Sequence, residues 1–177
     1  VYTVIFVHDV AIKSVTTSHT EVYVGQIINI TVVAKNEGET TETFNVTVYY
    51  DATSIGTMTN INLRSGREIT LTFSWDTTGV RPGIYNISAQ ASLLPGPPPE
   101  TDTADNFLTN GTIKVKGKGD VNGDGSVNIL DVTLVTTSWW CGPGDPKWNP
   151  VADLNCDDFI NILDVCMVTT YWWSTYP

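Results

Sequence analysis

Histidine and cysteine are scarce in this chain. It has two histidines, His8 and His19, and three cysteines, Cys141, Cys156 and Cys166. The histidines lie far in sequence from the cysteines, which argues against a thiolate–imidazole metal site. No serine or cysteine nucleophile sits near a histidine, and there is no phosphate-cradling glycine loop and no dinucleotide fingerprint. The expectation is a protein that is not an enzyme. No apolar run approaches the roughly 20 residues needed to span a bilayer. Base is almost missing from residue 120 onward, where eight aspartates and no glutamate face a single Lys147, a net of −7. Residues 1–119 carry eleven acids and eight bases, a net of −3. Such a tail repels nucleic acid, and no basic patch offsets it.

Enough remains to build a core. Apolar residues make up 41% of the 177 residues, which suits one large or two small packed domains rather than a disordered chain. The first residue is Val1 rather than Met and no leader pattern is visible, so a mature or trimmed chain is expected.

The first hundred or so residues read as short strands. Ile28–Val32, Phe44–Val48 and Ile69–Trp75 alternate apolar with polar, and Ile84–Ala89 does so more loosely. A period of two marks strands with one face on a core and one in water. Turn signals separate them: Asn36-Glu37-Gly38, Asp51-Ala52-Thr53-Ser54, Arg64-Ser65-Gly66-Arg67 and Arg81-Pro82-Gly83. About seven strands in about 110 residues fits an immunoglobulin-like β-sandwich. No cysteine pair is present there, so burial alone must hold it. Leu94–Pro99 reads as a stiff Pro-rich connection, and Lys114–Gly119 as the linker to a second domain.

Several stretches of this region resemble the CARDB-type adhesion domains of archaeal and bacterial surface proteins. They are His8-Asp9-Val10-Ala11-Ile12, Val24-Gly25-Gln26, Lys35-Asn36-Glu37-Gly38, Leu71–Val80, Gly83-Ile84-Tyr85 and Asp102-Thr103-Ala104-Asp105-Asn106. The resemblance covers roughly residues 8–116 and implies a sandwich fold more firmly than any function.

A repeat with a period of 33 residues begins at Asp120. Asp120–Trp140 and Asp153–Trp173 are identical at thirteen of twenty-one positions. Each copy opens on a twelve-residue loop. In the first, Asp120, Asn122, Asp124, Ser126, Asn128 and Asp131 stand at positions 1, 3, 5, 7, 9 and 12. In the second the same positions are Asp153, Asn155, Asp157, Phe159, Asn161 and Asp164. This is EF-hand ligand spacing. Calcium takes six to eight oxygens at about 2.3–2.6 Å, and side chains at positions 1, 3 and 5 of a tight loop point at one centre. Position 7 gives a backbone carbonyl, so Ser and Phe both serve; position 9 commonly ligates through water; position 12 gives a carboxylate. Two calcium ions are expected. Val127 and Ile160, at position 8, should be buried between the loops. Position 6 is Gly125 in one loop but Asp158 in the other, so the second loop should be the more strained or weaker. What precedes each loop is linker or turn, so each copy is a loop and one helix.

Duplicated loop–helix units of this spacing look like dockerin domains, a match over residues 119–173. The resemblance implies two calcium ions and docking, through helix faces, onto a partner sandwich of the cohesin kind. Calcium stapling a small domain short of core is the simpler reading of the same loops, and both hold together. By the resemblance, Ile129-Leu130 and Ile162-Leu163, at loop positions 10 and 11, are partner contacts; packing inside this chain is the alternative. The pairs Trp139-Trp140 and Trp172-Trp173 end the helices, and core packing is preferred to a sugar platform because they follow the repeat. Dockerin helices run antiparallel, which places the end of helix one near the second loop. That implies a Cys141–Cys156 disulfide with Cys166 buried in helix two; Cys141–Cys166 is the other pairing considered, and an odd count leaves one thiol over.

Asn29, Asn45, Asn86 and Asn110 open N-glycosylation acceptor sequences, and strand alternation turns the first three outward. The apolar start, Val1–Val7, needs cover as an extra N-terminal strand, either in its own sandwich or donated to a neighbouring subunit. The expected division is a mainly β immunoglobulin-like sandwich over residues 1–116 and a small α, dockerin-like calcium domain over residues 117–177. The expected role is an extracellular, secreted or cell-surface structural and adhesive protein. It would assemble through protein contacts, with itself as a homopolymer or with a cohesin-like partner. A cohesin-bound accessory subunit whose sandwich binds carbohydrate is the alternative.

Overall fold

The computed structural model describes residues 6–94, 99–155 and 157–176. The chain divides into two compact units. One comprises Val1–Thr20, Ile27–Asp76 and Ile84–Lys114; the other comprises Glu21–Gln26, Thr77–Gly83 and Val115–Pro177.

Among the described residues eight strands form, one of them the three-residue β2. They are β1 Val10–Thr17, β2 Glu21–Tyr23, β3 Ile27–Asn36, β4 Glu42–Tyr50, β5 Thr53–Leu63, β6 Glu68–Asp76, β7 Gly83–Leu93 and β8 Phe107–Lys116. One sheet has the order β1-β3-β6 and the other β2-β8-β7-β4-β5. The alternation in sequence explains the layering. In β3, Ile28, Ile30, Val32 and Ala34 are buried, and in β6 Leu71, Phe73 and Trp75 are. The antiparallel register sets Ile30 against Phe73 and Val32 against Leu71, so both rows face one side. Phe44, Val46 and Val48 of β4 do the same from the second sheet, with Val46 opposite Ala91 of β7. Burying each such side chain contributes about 1.5–3 kcal/mol. Tyr50 stacks on Trp75 at 4.8 Å between ring centroids, and Tyr85 meets both rings edge-on.

The turn signal at Asn36 has a structural cause. Asn36 is fully buried, and its amide nitrogen donates to the carbonyls of Thr40 and Leu63, each at 2.8 Å. Its Oδ1 accepts from the Gly38 amide. A Cβ at Gly38 would lie 2.7 Å from the Val7 carbonyl, so only glycine fits. Residues 1–5 of the expected N-terminal strand and residues 95–98 of the Pro-rich connection lie outside the described residues. Phe6 and Val7 are exposed and not in a strand, although the Val7 carbonyl accepts from the Glu39 amide at 2.8 Å.

In the second unit two nine-residue helices follow the two loops, α1 Ile129–Thr137 and α2 Ile162–Thr170. Their core is Val121, Val127, Val135, Ala152, Leu154, Ile160 and Val168. That is a small core, built almost wholly from matched positions of the repeat.

Phe44 is fully buried against the opposite sheet. Phe44→Ala should therefore lower stability by about 3–5 kcal/mol, read as a fall in the denaturant midpoint at constant slope.

Candidate metal centre and docking face

The two loops close in the same way. Asp120 Oδ1 accepts from the amides of Gly123 (2.8 Å) and Asp124 (3.1 Å), and its Oδ2 from Gly125 (3.0 Å). In the second loop Asp153 accepts from Asp157 (3.2 Å) and Asp158 (3.0 Å). Position 12 ties the far end. Asp131 Oδ1 accepts from Val121 and Asn122, and Oδ2 from Asn128. Asp164 does the same with Leu154, Asn155 and Asn161. Both position-12 carboxylates are fully buried.

Position 9 does more than the spacing alone suggests. Asn128 and Asn161 are helix N-caps, each accepting from the backbone two residues on, and Asp131 and Asp164 complete capping boxes. Position 3 hydrogen-bonds position 5: Asn122 donates to Asp124 Oδ2 and Asn155 to Asp157 Oδ2, both at 2.8 Å. The residues at positions 1, 3, 5, 9 and 12 are thus gathered in both loops. Among the described residues, however, no three Asp, Glu, His or Cys side chains meet closely enough to ligate one ion. Their oxygens hold loop amides and one another.

The donor set fits a hard cation. It is all oxygen: aspartate carboxylates, asparagine amides and, at position 7, a carbonyl. Among the described residues no ion pair is seen on a loop carboxylate; the pairs seen include His8–Glu42, Lys13–Glu37, Lys35–Glu37 and Lys116–Glu21. Burial pushes the Asp120 carboxyl up, against hydrogen bonds from Gly125 and Gly123 and with repulsion from Asp131 and Asp124. Negative charge is concentrated here and left without a counter-charge from the protein.

The two loop–helix copies interlock through position 8. Val127 donates to the Ser174 carbonyl and accepts from the Trp173 amide. Ile160 donates to the Cys141 carbonyl and accepts from the Trp140 amide. Both are buried, and each pairs with the end of the other copy's helix. The end of helix one therefore does meet the second loop. The tail completes the first loop, because the Tyr176 amide donates to Gly125 and its hydroxyl to the Lys118 carbonyl, both at 2.7 Å. A Cβ at Gly117 would collide with the Tyr176 ring. Sequence reading missed this clasp; Gly117 and Tyr176 were its traces.

Position 6 is left-handed in both loops, with φ +87° at Gly125 and +64° at Asp158. Glycine relieves a close approach on opposite sides of the two contacts. A Cβ on Gly125 would lie 3.1 Å from the Tyr176 carbonyl, while in the other contact a Cβ on Gly142 would lie 3.1 Å from the Asp158 carbonyl.

Ile129, Leu130, Ile162 and Leu163 are 61%, 54%, 57% and 54% exposed. The alternative that they pack inside this chain does not hold for the fold described. Three other expectations need correction. Trp172 packs against the small core, but Trp140 and Trp173 are 65% and 79% exposed, because each leaves its helix at positive φ and turns outward. Phe159 does not merely lend a carbonyl; its ring lies 5.2 Å from that of Trp140. Cys166 is exposed on α2 rather than buried, and it and buried Cys141 are free thiols, so they are not paired with each other. The Cys141–Cys156 pairing falls on Cys156, outside the described residues. Asn29, Asn86 and Asn110 are exposed and Asn45 is half-buried.

An immunoglobulin-like sandwich and a duplicated loop–helix pair define a chain of interaction modules. Residues 118–173 match the model of the dockerin type I domain, and residues 7–93 match that of CARDB. The chain thus carries a CARDB domain followed by a dockerin type I domain. No curated protein matches it in a sequence search. Among solved structures it is similar to the CARDB domain of a Pyrococcus furiosus protein, a crystal structure in complex with di-metal ions, at 24% identity and TM-score 0.51, over 64% of this chain and 97% of that one. The solution structure of the same domain gives 25% identity and TM-score 0.52, over 63% and 97%. A β-glucosidase from Erythrobacter marinus is similar at 14% identity and TM-score 0.47, over 61% of this chain and 15% of that one. Both matched domains are non-catalytic modules of protein interaction or adhesion, typical of extracellular or surface proteins. Dockerin type I domains generally bind calcium and take protein partners such as cohesin. No helix among the described residues is long and apolar enough to cross a membrane.

Left-handed backbone costs a non-glycine residue about 1–2 kcal/mol. Asp158→Gly should therefore raise the thermal midpoint of the C-terminal unit at saturating calcium, by an amount equivalent to about 1 kcal/mol. Gly125→Asp, pressed against the Tyr176 carbonyl, should lower it by at least as much.

Proposed function

We propose that this is a non-catalytic extracellular structural or adhesive protein that assembles through a two-calcium docking module. Asp120, Asn122, Asp124, Ser126, Asn128 and Asp131 hold one ion, and Asp153, Asn155, Asp157, Phe159, Asn161 and Asp164 the other. Each ion supplies the positive charge that its loop lacks. The working division places the sandwich in residues 1–116 and the docking module in residues 117–177.

One observation carries the docking role. The repeat buries its valine, leucine and isoleucine at positions 2 and 8, yet leaves both Ile-Leu pairs at positions 10 and 11 more than half exposed. Two exposed apolar pairs repeated on so small a unit offer a face that a partner could cover. They are related by the repeat, so either can present the same face. The partner is a cohesin-like sandwich or a further copy of this protein; the latter gives a heterologous contact that propagates into a filament or surface layer. Glycan on Asn29, Asn45, Asn86 and Asn110 suits a surface-exposed role, since three of the four are exposed on strands.

Chelation should unfold the C-terminal unit reversibly, lowering its helical circular dichroism and restoring it on calcium readdition. Sizing of the pure protein then separates the partners. Large assemblies in calcium that dissolve in chelator support self-assembly, whereas a calcium-loaded monomer that captures a cohesin sandwich supports the accessory role. Ile162→Lys combined with Ile129→Lys should weaken either contact at least tenfold without altering calcium uptake. An unchanged contact would remove the docking face from this reading.

A further inference from the structure

We propose that the sandwich unit carries a calcium-class cation site of its own, built from Asp9, Asp105 and Asn106 beside Glu100. This stands independently of the repeat loops. Three side-chain oxygens are sealed from solvent with no hydrogen-bond partner: Asp9 Oδ1, Asp105 Oδ1 and Asn106 Oδ1. All three are acceptors. A buried acceptor without a donor is costly, and native proteins rarely leave one unmet.

Contacts from distant parts of the chain bring these residues together. Glu100 Oε1 accepts from the Val10 amide at 2.9 Å, and Oε2 from Asn106 Nδ2 at 2.8 Å. One carboxylate thus stands between residues 9–10 and residue 106. The Ile12 amide donates to the Asp105 carbonyl at 2.9 Å, and the Ala91 amide to the Asn106 carbonyl at 2.8 Å. The first places residue 105 against β1, and the second places residue 106 against β7. Asn106 is 8% exposed, and its amide orientation is fixed. Turning it over would set its oxygen against Glu100, so Oδ1 is the end left free.

The charge balance points the same way. Lys13 and Lys35 both bind Glu37 Oε1, each at 3.0 Å. The Asp9 carboxyl is pushed up to about 6, by burial first and then by Asp105, Asp102, Glu37 and Glu100. A proton held by Asp9 gives one donor and satisfies one neighbour, whereas a cation satisfies all three oxygens at once. The donor set is oxygen only, since the His8 ring is engaged with Glu42 at 2.8 Å. That selects a hard ion with many oxygen ligands over zinc or copper. Among the described residues no three Asp, Glu, His or Cys side chains meet closely enough to ligate one ion, so the ligand set is two carboxylates and the Asn106 amide oxygen, with Glu100 holding the Val10 amide and Asn106 Nδ2 rather than the ion.

Native mass spectrometry of the full chain with calcium counts the ions. In Asp120→Ala/Asp153→Ala protein, whose repeat loops are disabled, one calcium should remain bound and calcium should raise the unfolding temperature of the sandwich relative to chelator. Adding Asp9→Asn and Asp105→Asn in that background should abolish both effects. A loop-disabled protein whose sandwich unfolds cooperatively, yet takes up no calcium and melts identically in chelator, overturns the site. Retention of the ion after Asp9 and Asp105 are changed overturns its location. Should the four-fold variant not fold, the melts of the loop-disabled protein with calcium and with chelator decide alone. Failure of the docking reading would leave this outcome untouched, because the loops are already disabled.

Discussion

An aspartate whose own loop folds its amides around it is the constraint on which the C-terminal unit depends. At position 1 the carboxylate gathers amides from positions 4 to 6, and at position 12 it gathers amides from positions 2, 3 and 9. These two anchors draw a twelve-residue segment into a ring and start a helix at its end. The same bonds concentrate negative charge that forms no ion pair among the described residues. Loop shape and cation demand are thus two consequences of one arrangement. The core beneath it is small, which is where a bound ion would contribute.

Much of this was legible in sequence, for physical reasons. Period-two alternation at Ile28–Val32, Phe44–Val48 and Ile69–Trp75 marks strands because one face must be dry, and those segments lie in β3, β4 and β6. The repeat located both loops and both helices, since the same polar residues recur at the same spacing in each copy. β2 was not legible, because three residues carry no period. The outward turn of Trp140 and Trp173 was missed because composition speaks for burial while a left-handed φ at the helix end decides direction. Cys166 lies on the exposed side of α2, and a helix this short and apolar on nearly all sides gives its pattern little power to choose a face.

The two copies also show how a duplicated sequence diverges without losing its contact. Each position-8 residue is held by the end of the other copy's helix. Glycine sits on the loop at one contact, as Gly125, and on the helix end at the other, as Gly142. The steric requirement belongs to the contact rather than to one residue. Asp158 can therefore stand where a glycine would be expected, at the cost of its left-handed backbone.

On the proposed reading, ion and partner binding are linked. The Ile-Leu pairs sit at the start of helices whose first turns are fixed by Asp131 and Asp164, the same groups that close the loops. An ion that favours the closed loops raises the population able to dock. By reciprocity, a docked partner must tighten the ions by the same factor. Assembly would then be set by calcium concentration outside the cell, through a change in folded population. The sandwich, which buries its own core without any help from the loops, would remain in place whichever way that equilibrium lies.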